Sequence, residues 1–162
     1  MEQNLHLKFN TLNQDEVNIA LYYACKKGNL DEVNYLLTSP DLTYHSDIHY
    51  ENDEALHTSY FYGHLEITKY LLSSPKLNEH ADIHSRDDQM FVFCYGNYIE
   101  QDYAEFLNFL IFDLNITKTP RIKKYMEEYN SQEFKKAFDI RDLNKELDFS
   151  STKKDNNPKV KI

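Results

Sequence analysis

Residues 63–75, GHLEITKYLLSSP, repeat residues 28–40, GNLDEVNYLLTSP, at a distance of 35 residues. The same offset relates HSDIH at residues 45–49 to HADIH at residues 80–84. Several separate matches at one spacing are the sequence signature of a repeat architecture. The chain is therefore predicted to be built from stacked copies of one structural unit.

Each unit is predicted to contain two short antiparallel helices. In the second unit the first helix is expected from about Asp53 to Tyr62, with Asp53 capping that helix's own backbone N–H groups. Gly63 favours the left-handed conformation that ends a helix and reverses the chain. The second helix carries Leu71 on an apolar stripe, and it ends at Pro75 because proline cannot continue the hydrogen-bond ladder.

This unit resembles the ankyrin repeat. The resemblance rests on Ala-Leu-His at 55–57, Gly-His-Leu-Glu at 63–66, the leucine pair 71–72 and Ala-Asp-Ile-His at 81–84. It covers residues 18–112 as three units, of which the third is degenerate. The resemblance implies an all-α fold, a short ankyrin-repeat solenoid of stacked helix-turn-helix units with N- and C-terminal caps.

Four segments follow from this pattern. Residues 1–17 are predicted to cap the first repeat, as an extended segment or as a cover over its open face. Residues 18–118 form the three repeats, at 18–53, 54–88 and 89–118. Residues 119–149 are expected to form helices that either cap the last repeat or dock a second protein. Residues 150–162 are polar and lysine-rich, which predicts a disordered tail.

Metal binding is a distant alternative for the two His-x-x-x-His pairs, His45/His49 and His80/His84. On a helix this spacing places both imidazoles within reach of one zinc ion. Here each pair follows a proline turn and has no glutamate between its histidines. Since the pairs recur with the repeat, we expect them to stabilise each unit's loop, and no metal site is predicted.

No catalytic site, cofactor or small-molecule substrate is predicted. Cys25 and Cys94 lie in apolar helical patterns without the paired base that an activated nucleophile needs. The resemblance implies that His57 bonds neighbouring backbone. With three glycines in the whole chain, no phosphate-binding loop can be assigned. The protein is therefore expected not to be an enzyme.

The net charge is −9, and its acidic excess lies in residues 1–118. An acidic body repels nucleic acid and anionic membranes, so we expect neither as a partner and favour a protein with a basic surface. The alternative is that this charge only maintains solubility. The start of the chain lacks a secretory pattern, and no apolar stretch is long enough to span a bilayer, which predicts a cytoplasmic protein (in a host cell if viral or a bacterial effector).

The ankyrin-like register implies a concave groove lined by the first helices and rimmed by the loop tips. Exposed aromatic residues there are typical anchors of protein interfaces. The predicted partner-binding residues are Tyr23, Lys26, Lys27, Tyr50, Glu51, Thr58, Phe61, Tyr62, Ser85, Arg86 and Phe93.

Two functions from different classes follow from this surface. The first is a stand-alone binder or inhibitor that acts through the groove. The second is an adaptor, in which residues 119–149 recruit another protein. Exposure of four apolar residues would favour the adaptor: Ile122, Tyr125, Phe134 and Phe138.

Overall fold

The computed structural model of the chain describes residues 2–93, 105–128 and 132–155. In these ranges the regular structure is helical, without a β-strand. The chain forms two compact units, residues 1–98 and 99–162. The first unit contains α1 (Glu2–Phe9), α2 (Gln14–Lys27), α3 (Leu30–Thr38), α4 (Tyr50–Phe61), α5 (Leu65–Ser73) and α6 (Ser85–Phe93); the second contains a π-helical segment (Phe109–Asp113), α7 (Pro120–Glu128) and α8 (Gln132–Asp155). The predicted all-α class is confirmed.

Local signals in the sequence set the ends of α2. Asn13 Oδ1 accepts from the Glu16 N–H at 3.0 Å, and Glu16 Oε2 accepts from the Asn13 N–H at 2.9 Å. This reciprocal pair satisfies two of the N–H groups that a helix start leaves unpaired. At the other end Gly28 has φ 73°, in the left-handed region. Gly63 takes φ 77° after α4, as the sequence predicts.

The loops after the second helices also follow the repeat. The Ser46 N–H donates to Leu36 O at 2.9 Å, and the Ala81 N–H donates to Leu71 O at 3.0 Å, 35 residues on. Ile48 and its repeat equivalent Ile83 are buried, 5% and 8% exposed. Each loop therefore folds back on the helix before it and inserts one isoleucine into the core.

Asp53 and its repeat equivalent Asn18 each accept a hydrogen bond from the loop that follows a second helix. Asn18 Oδ1 accepts from the Asp47 N–H at 2.8 Å, and Asp53 Oδ1 accepts from the Asp82 N–H at 3.1 Å. Asp53 also contacts His49 Nδ1 at 2.9 Å. The prediction that Asp53 caps its own helix is wrong, because its carboxylate points to the next loop instead.

Each loop tip contains a left-handed turn that the sequence analysis did not predict. Glu51, Asn52 and Asp53 have φ between 52° and 59°, and residues 86–88 repeat this conformation at φ between 51° and 60°. Three consecutive non-glycine residues in this region cost free energy, so surrounding contacts must hold them. The right-handed part of α4 consequently begins after Asp53, later than predicted.

The N-terminal segment is helical. α1 packs against α3, and Phe9 on α1 is 3% exposed, with its ring centroid 6.3 Å from that of Tyr35. The extended conformation considered for residues 1–17 is therefore wrong for Glu2–Phe9. The helix covers part of the first repeat.

In the second unit, α8 packs against the π-helical segment and against α7. Phe134 and Phe138 are buried, and their rings meet edge to face at 5.2 Å. Arg141 donates from Nη1 to Ile116 O at 2.6 Å. α8 continues to Asp155, into the predicted disordered tail, while residues 156–162 lie outside the described residues.

Candidate partner-binding surface

Lys26 on α2 lies between two pairs of aromatic rings, one pair on α2 and the other at the end of α4. Tyr22 and Tyr23 meet edge to face at 5.1 Å, and Phe61 and Tyr62 do so at 5.3 Å. Lys26 Nζ lies 5.8 Å from the centroid of the Tyr22 ring and 5.2 Å from that of Tyr62. Cations are attracted to the faces of such rings, so Lys26 links the two pairs. We call these five residues the aromatic–lysine cluster.

The cluster is accessible. Tyr23, Phe61 and Tyr62 are 50%, 46% and 43% exposed, while Tyr22 and Lys26 are half-buried. The Tyr62 hydroxyl, with Tyr22 adding to its effect, raises the pKa of Lys26 above its ordinary value. Lys26 therefore remains a cation throughout the physiological range.

The predicted groove residues do not all reach this surface. Thr58 is 5% exposed, and its hydroxyl donates to Glu54 Oε1 at 3.1 Å, so its place among the partner-binding residues is not supported. Lys27 is exposed beside the cluster. Phe93 ends α6, and its side chain lies outside the described part of the chain.

Among the predicted rim residues, Arg86 makes hydrogen bonds and an ion pair within the protein itself. Arg86 donates from Nη2 to Glu51 O at 2.6 Å and from Nε to Asn52 O at 3.1 Å, and it also pairs with the Glu54 carboxylate. Arg86 thus holds the left-handed turn of the preceding loop tip. The Glu51 side chain is exposed, whereas Tyr50 is half-buried.

His57 occupies the interior next to the rim. Its Nε2 lies 2.9 Å from Ser85 Oγ, so this nitrogen bonds a hydroxyl group, whereas the resemblance implied a backbone partner. Burial, with the Arg86 guanidinium adding to its effect, lowers the pKa of His57 to about 4. His57 is therefore neutral at pH 7 and unsuited to act as a general base there.

We expect the stability of the protein to fall between about pH 6.5 and about pH 4 because of His57. Across this range the unfolded chain binds a proton at His57 that the folded chain does not bind, which favours unfolding as the pH falls. The measurement is the free energy of unfolding at pH 7 and pH 5 for the wild type and His57→Gln. The variant should lose less stability on acidification, and an equal loss in both proteins would contradict the assignment.

The His-x-x-x-His pairs take part in loop hydrogen bonds. His45 Nε2 lies 2.7 Å from Ser39 O, and His80 Nε2 lies 2.9 Å from Ser74 O. His49 bonds Asp53, as described above. Its repeat equivalent, His84, has Nδ1 2.6 Å from Oδ1 of Asp88, the repeat equivalent of Asp53. The expected structural role of these histidines is confirmed by these contacts. Within the described ranges no group of three or more His, Cys, Asp or Glu is placed to hold a metal ion.

Cys25 is fully buried, and burial raises the pKa of its thiol to about 12. A thiol with so high a pKa forms almost no nucleophilic thiolate at neutral pH. The other cysteine, Cys94, lies outside the described residues.

Sequence reasoning missed Tyr22. Its neighbour Tyr23 was predicted to line the groove, whereas Tyr22 is the repeat equivalent of the buried His57. The signal available was the spacing of Tyr22 and Lys26, which lie four residues apart and so share a helix face.

None of the helices in the described part of the chain is both long enough and apolar enough to cross a membrane.

A family model for ankyrin repeats (three copies) matches residues 2–87, more than half of the chain. The matched range includes α1 and ends before the predicted third repeat. Comparisons with curated proteins and with solved structures found no match. Ankyrin repeats are generally non-catalytic modules of protein–protein interaction. With the family match, the 35-residue recurrence of contacts and the all-helical fold in agreement, this chain belongs to the ankyrin-repeat family.

Proposed function

We propose that this protein binds a protein partner through the aromatic–lysine cluster and acts without catalysis, as a stand-alone binder or inhibitor. The observation that carries the proposal is the exposure of Tyr23, Phe61 and Tyr62 on neighbouring first helices. Exposed tyrosine and phenylalanine anchor interfaces because they bury a large apolar area with few rotatable bonds. Lys26 pre-organises two of the rings, which lowers the entropy lost on binding.

The partner is proposed to be basic where it meets the loop tips. Asp47, Glu51 and Asp87 are exposed there, and the one arginine of the tips, Arg86, is paired with Glu54. Complementary charge raises the association rate and fixes orientation. Binding should therefore weaken as salt rises. Nucleic acid and anionic membranes remain excluded in this proposal on the same ground, and the cytoplasm remains its proposed location.

The adaptor is the second candidate, but the residues expected to carry it are not available. Ile122, Tyr125, Phe134 and Phe138 are all buried, between 0% and 9% exposed. An adaptor would need a different face of the C-terminal helices.

Affinity capture with mass spectrometry tests the proposal, with the wild type compared with Phe61→Ala/Tyr62→Ala. Truncating two central aromatic anchors should weaken binding by about tenfold to a hundredfold. A partner captured by the wild type and lost with the variant supports the cluster as the binding surface.

The matched control is Tyr44→Ala/Phe112→Ala, which removes two aromatic side chains that are 47% and 41% exposed elsewhere on the molecule. Circular dichroism should show that both variants fold. If the control loses the same partner and the Phe61/Tyr62 variant keeps it, the surface is assigned wrongly.

A further inference from the structure

The contact of α1 with α3 and that of α3 with α5 can be compared directly, because Tyr35 on α3 and Tyr70 on α5 are repeat equivalents. The Tyr70 hydroxyl donates to Asn34 Oδ1 on α3 at 2.7 Å. The Tyr35 ring lies against Phe9 of α1 and is 6% exposed. Its hydroxyl has no hydrogen-bond partner among the residues that the structure describes. The α1–α3 contact therefore lacks the hydrogen bond that joins α3 to α5.

A second buried polar atom, on α1 itself, is also without a partner. His6 Nδ1 is shielded from solvent and bonds none of the described residues, although Nε2 of the same ring lies 3.4 Å from Asn10 Nδ2. A buried donor or acceptor that is left unpaired costs the free energy of its lost hydration. Water reaches both the Tyr35 hydroxyl and His6 Nδ1 once α1 leaves α3, so opening recovers that cost.

Few contacts hold α1 in place. Among its described side chains, those of residues 5–9, only Phe9 is buried, and Leu7 is 77% exposed. Lys8 pairs with Glu32 at 2.6 Å, but the lysine side chain is half-exposed, and such pairs contribute little to stability. With eight residues α1 is too short to remain helical by itself, so it unfolds when it leaves α3.

The opening has a natural end at the start of α2. The reciprocal hydrogen bonds of Asn13 with Glu16 fix that helix start without a contribution from α1. α2 also packs against both α3 and α4. Residues 2–12 can therefore detach while the helices of the repeats keep their contacts with one another.

We infer that α1 is a strap that opens by itself, ahead of the repeats, and that the unpaired Tyr35 hydroxyl favours the open state. The open strap uncovers the side of α3 that faces Phe9, where Tyr35 presents an aromatic ring and a hydroxyl donor. Opening thus exposes a surface of the first unit that the closed protein withholds. The inference does not depend on the proposed function, since it concerns α1 and α3 and not the aromatic–lysine cluster.

Native-state hydrogen exchange followed by NMR tests the inference on the full chain. In the wild type, the amides bonded to α1, among them that of Asn10 to His6 O, should exchange at least about a hundredfold faster than those of α3. Tyr35→Phe removes the unpaired hydroxyl and should slow exchange in α1 by about threefold to tenfold. Equal protection of α1 and α3 would overturn the inference, and so would unchanged or faster exchange of α1 in Tyr35→Phe.

Tyr70→Phe is the matched control, because its hydroxyl has a partner. Loss of the bond to Asn34 Oδ1 weakens the α3–α5 contact and should speed exchange of the α3 and α5 amides by about threefold to tenfold. That contact persists when only the strap opens, so exchange in α1 should not change. If Tyr70→Phe speeds exchange of α1 by the same factor as that of α3, α1 opens only together with the repeats and the inference fails.

Limited proteolysis gives an independent measurement. The peptide bond after Lys8 precedes the buried Phe9, so trypsin reaches it only in the open state. Mass spectrometry should detect this cleavage while circular dichroism still shows folded repeats, and Tyr35→Phe should slow it by about threefold to tenfold. Cleavage after Lys8 that appears only with loss of the helical signal, or that is equally fast in Tyr35→Phe, would contradict the strap.

Discussion

Gly28→Ala is expected to lower the free energy of unfolding by about 2–3 kcal/mol, from strain and from crowding. Gly28 has φ 73°, where a side chain is strained. A Cβ at this position would lie 2.6 Å from Cε1 and Nδ1 of the His64 ring, which belongs to the next repeat. A shift of the His64 ring would disturb the contact of its Nε2 with Lys26 O at 3.1 Å.

Urea denaturation followed by circular dichroism measures this loss, and a double-mutant cycle separates its two causes. In a His64→Ala background the crowding disappears and only the backbone strain of Gly28→Ala remains, about 1–2 kcal/mol. The cost of the glycine substitution should therefore be smaller in that background. The same cost in both backgrounds would mean that Gly28 and His64 do not pack against each other.

Asp53→Ala is expected to destabilise the protein by about 3 kcal/mol, because it removes a buried, charged acceptor and places alanine in the left-handed region. Asp53 is 4% exposed and bonds both His49 and the Asp82 N–H. The substitution breaks a connection between neighbouring repeats. In a solenoid, stability depends on such interfaces, so the loss should spread beyond the loop.

Asp53→Asn is the matched control that the chain itself provides, since Asn18 performs the equivalent task one repeat earlier. The amide oxygen can still accept from the Asp82 N–H, and asparagine tolerates the left-handed conformation. Its cost should stay within about 1 kcal/mol. If Asn and Ala destabilise the protein equally, the hydrogen bond to Asp82 is not what Asp53 contributes.

The fold could be predicted because its determinants are local and recur. Gly63 marks a helix end, Leu71 and Leu72 lie on a buried face, and the Asp-Ile pairs at 47–48 and 82–83 mark the loops. Each of these signals depends on residues close in sequence, so periodicity alone reveals them. The groove positions of Phe61 and Tyr62 were implied instead by the resemblance to the ankyrin repeat.

The features that sequence reasoning missed depend on contacts between units of the repeat. Asp53 looks like a helix cap, and only the position of Asp82 shows that it bonds the next loop. The left-handed turns contain no glycine from which the sequence could predict them. Arg86 stabilises one of these turns by bonding Glu51, which lies 35 residues earlier in the chain. Thr58 lies at the position of the exposed Tyr23 in the repeat but is buried, so equivalent positions need not share their exposure.

In residues 119–149, too, the sequence alone did not show which residues are buried. Apolar periodicity predicted that they form helices, but α8 has apolar residues on both faces. Sequence alone did not separate Phe134 and Phe138, which are buried, from Ile140 and Leu143, which are exposed. The distinction decides which face can bind a partner.

Site-specific photo-crosslinking tests the central claim, that the partner binds the aromatic–lysine cluster, most directly. A photoreactive phenylalanine analogue is placed at Phe61 in one protein and at Tyr44, an exposed residue in the loop after α3, in another. The account predicts that Phe61 crosslinks to the same protein that affinity capture identifies, and that Tyr44 does not. Crosslinking of that protein from Tyr44 and not from Phe61 would contradict it.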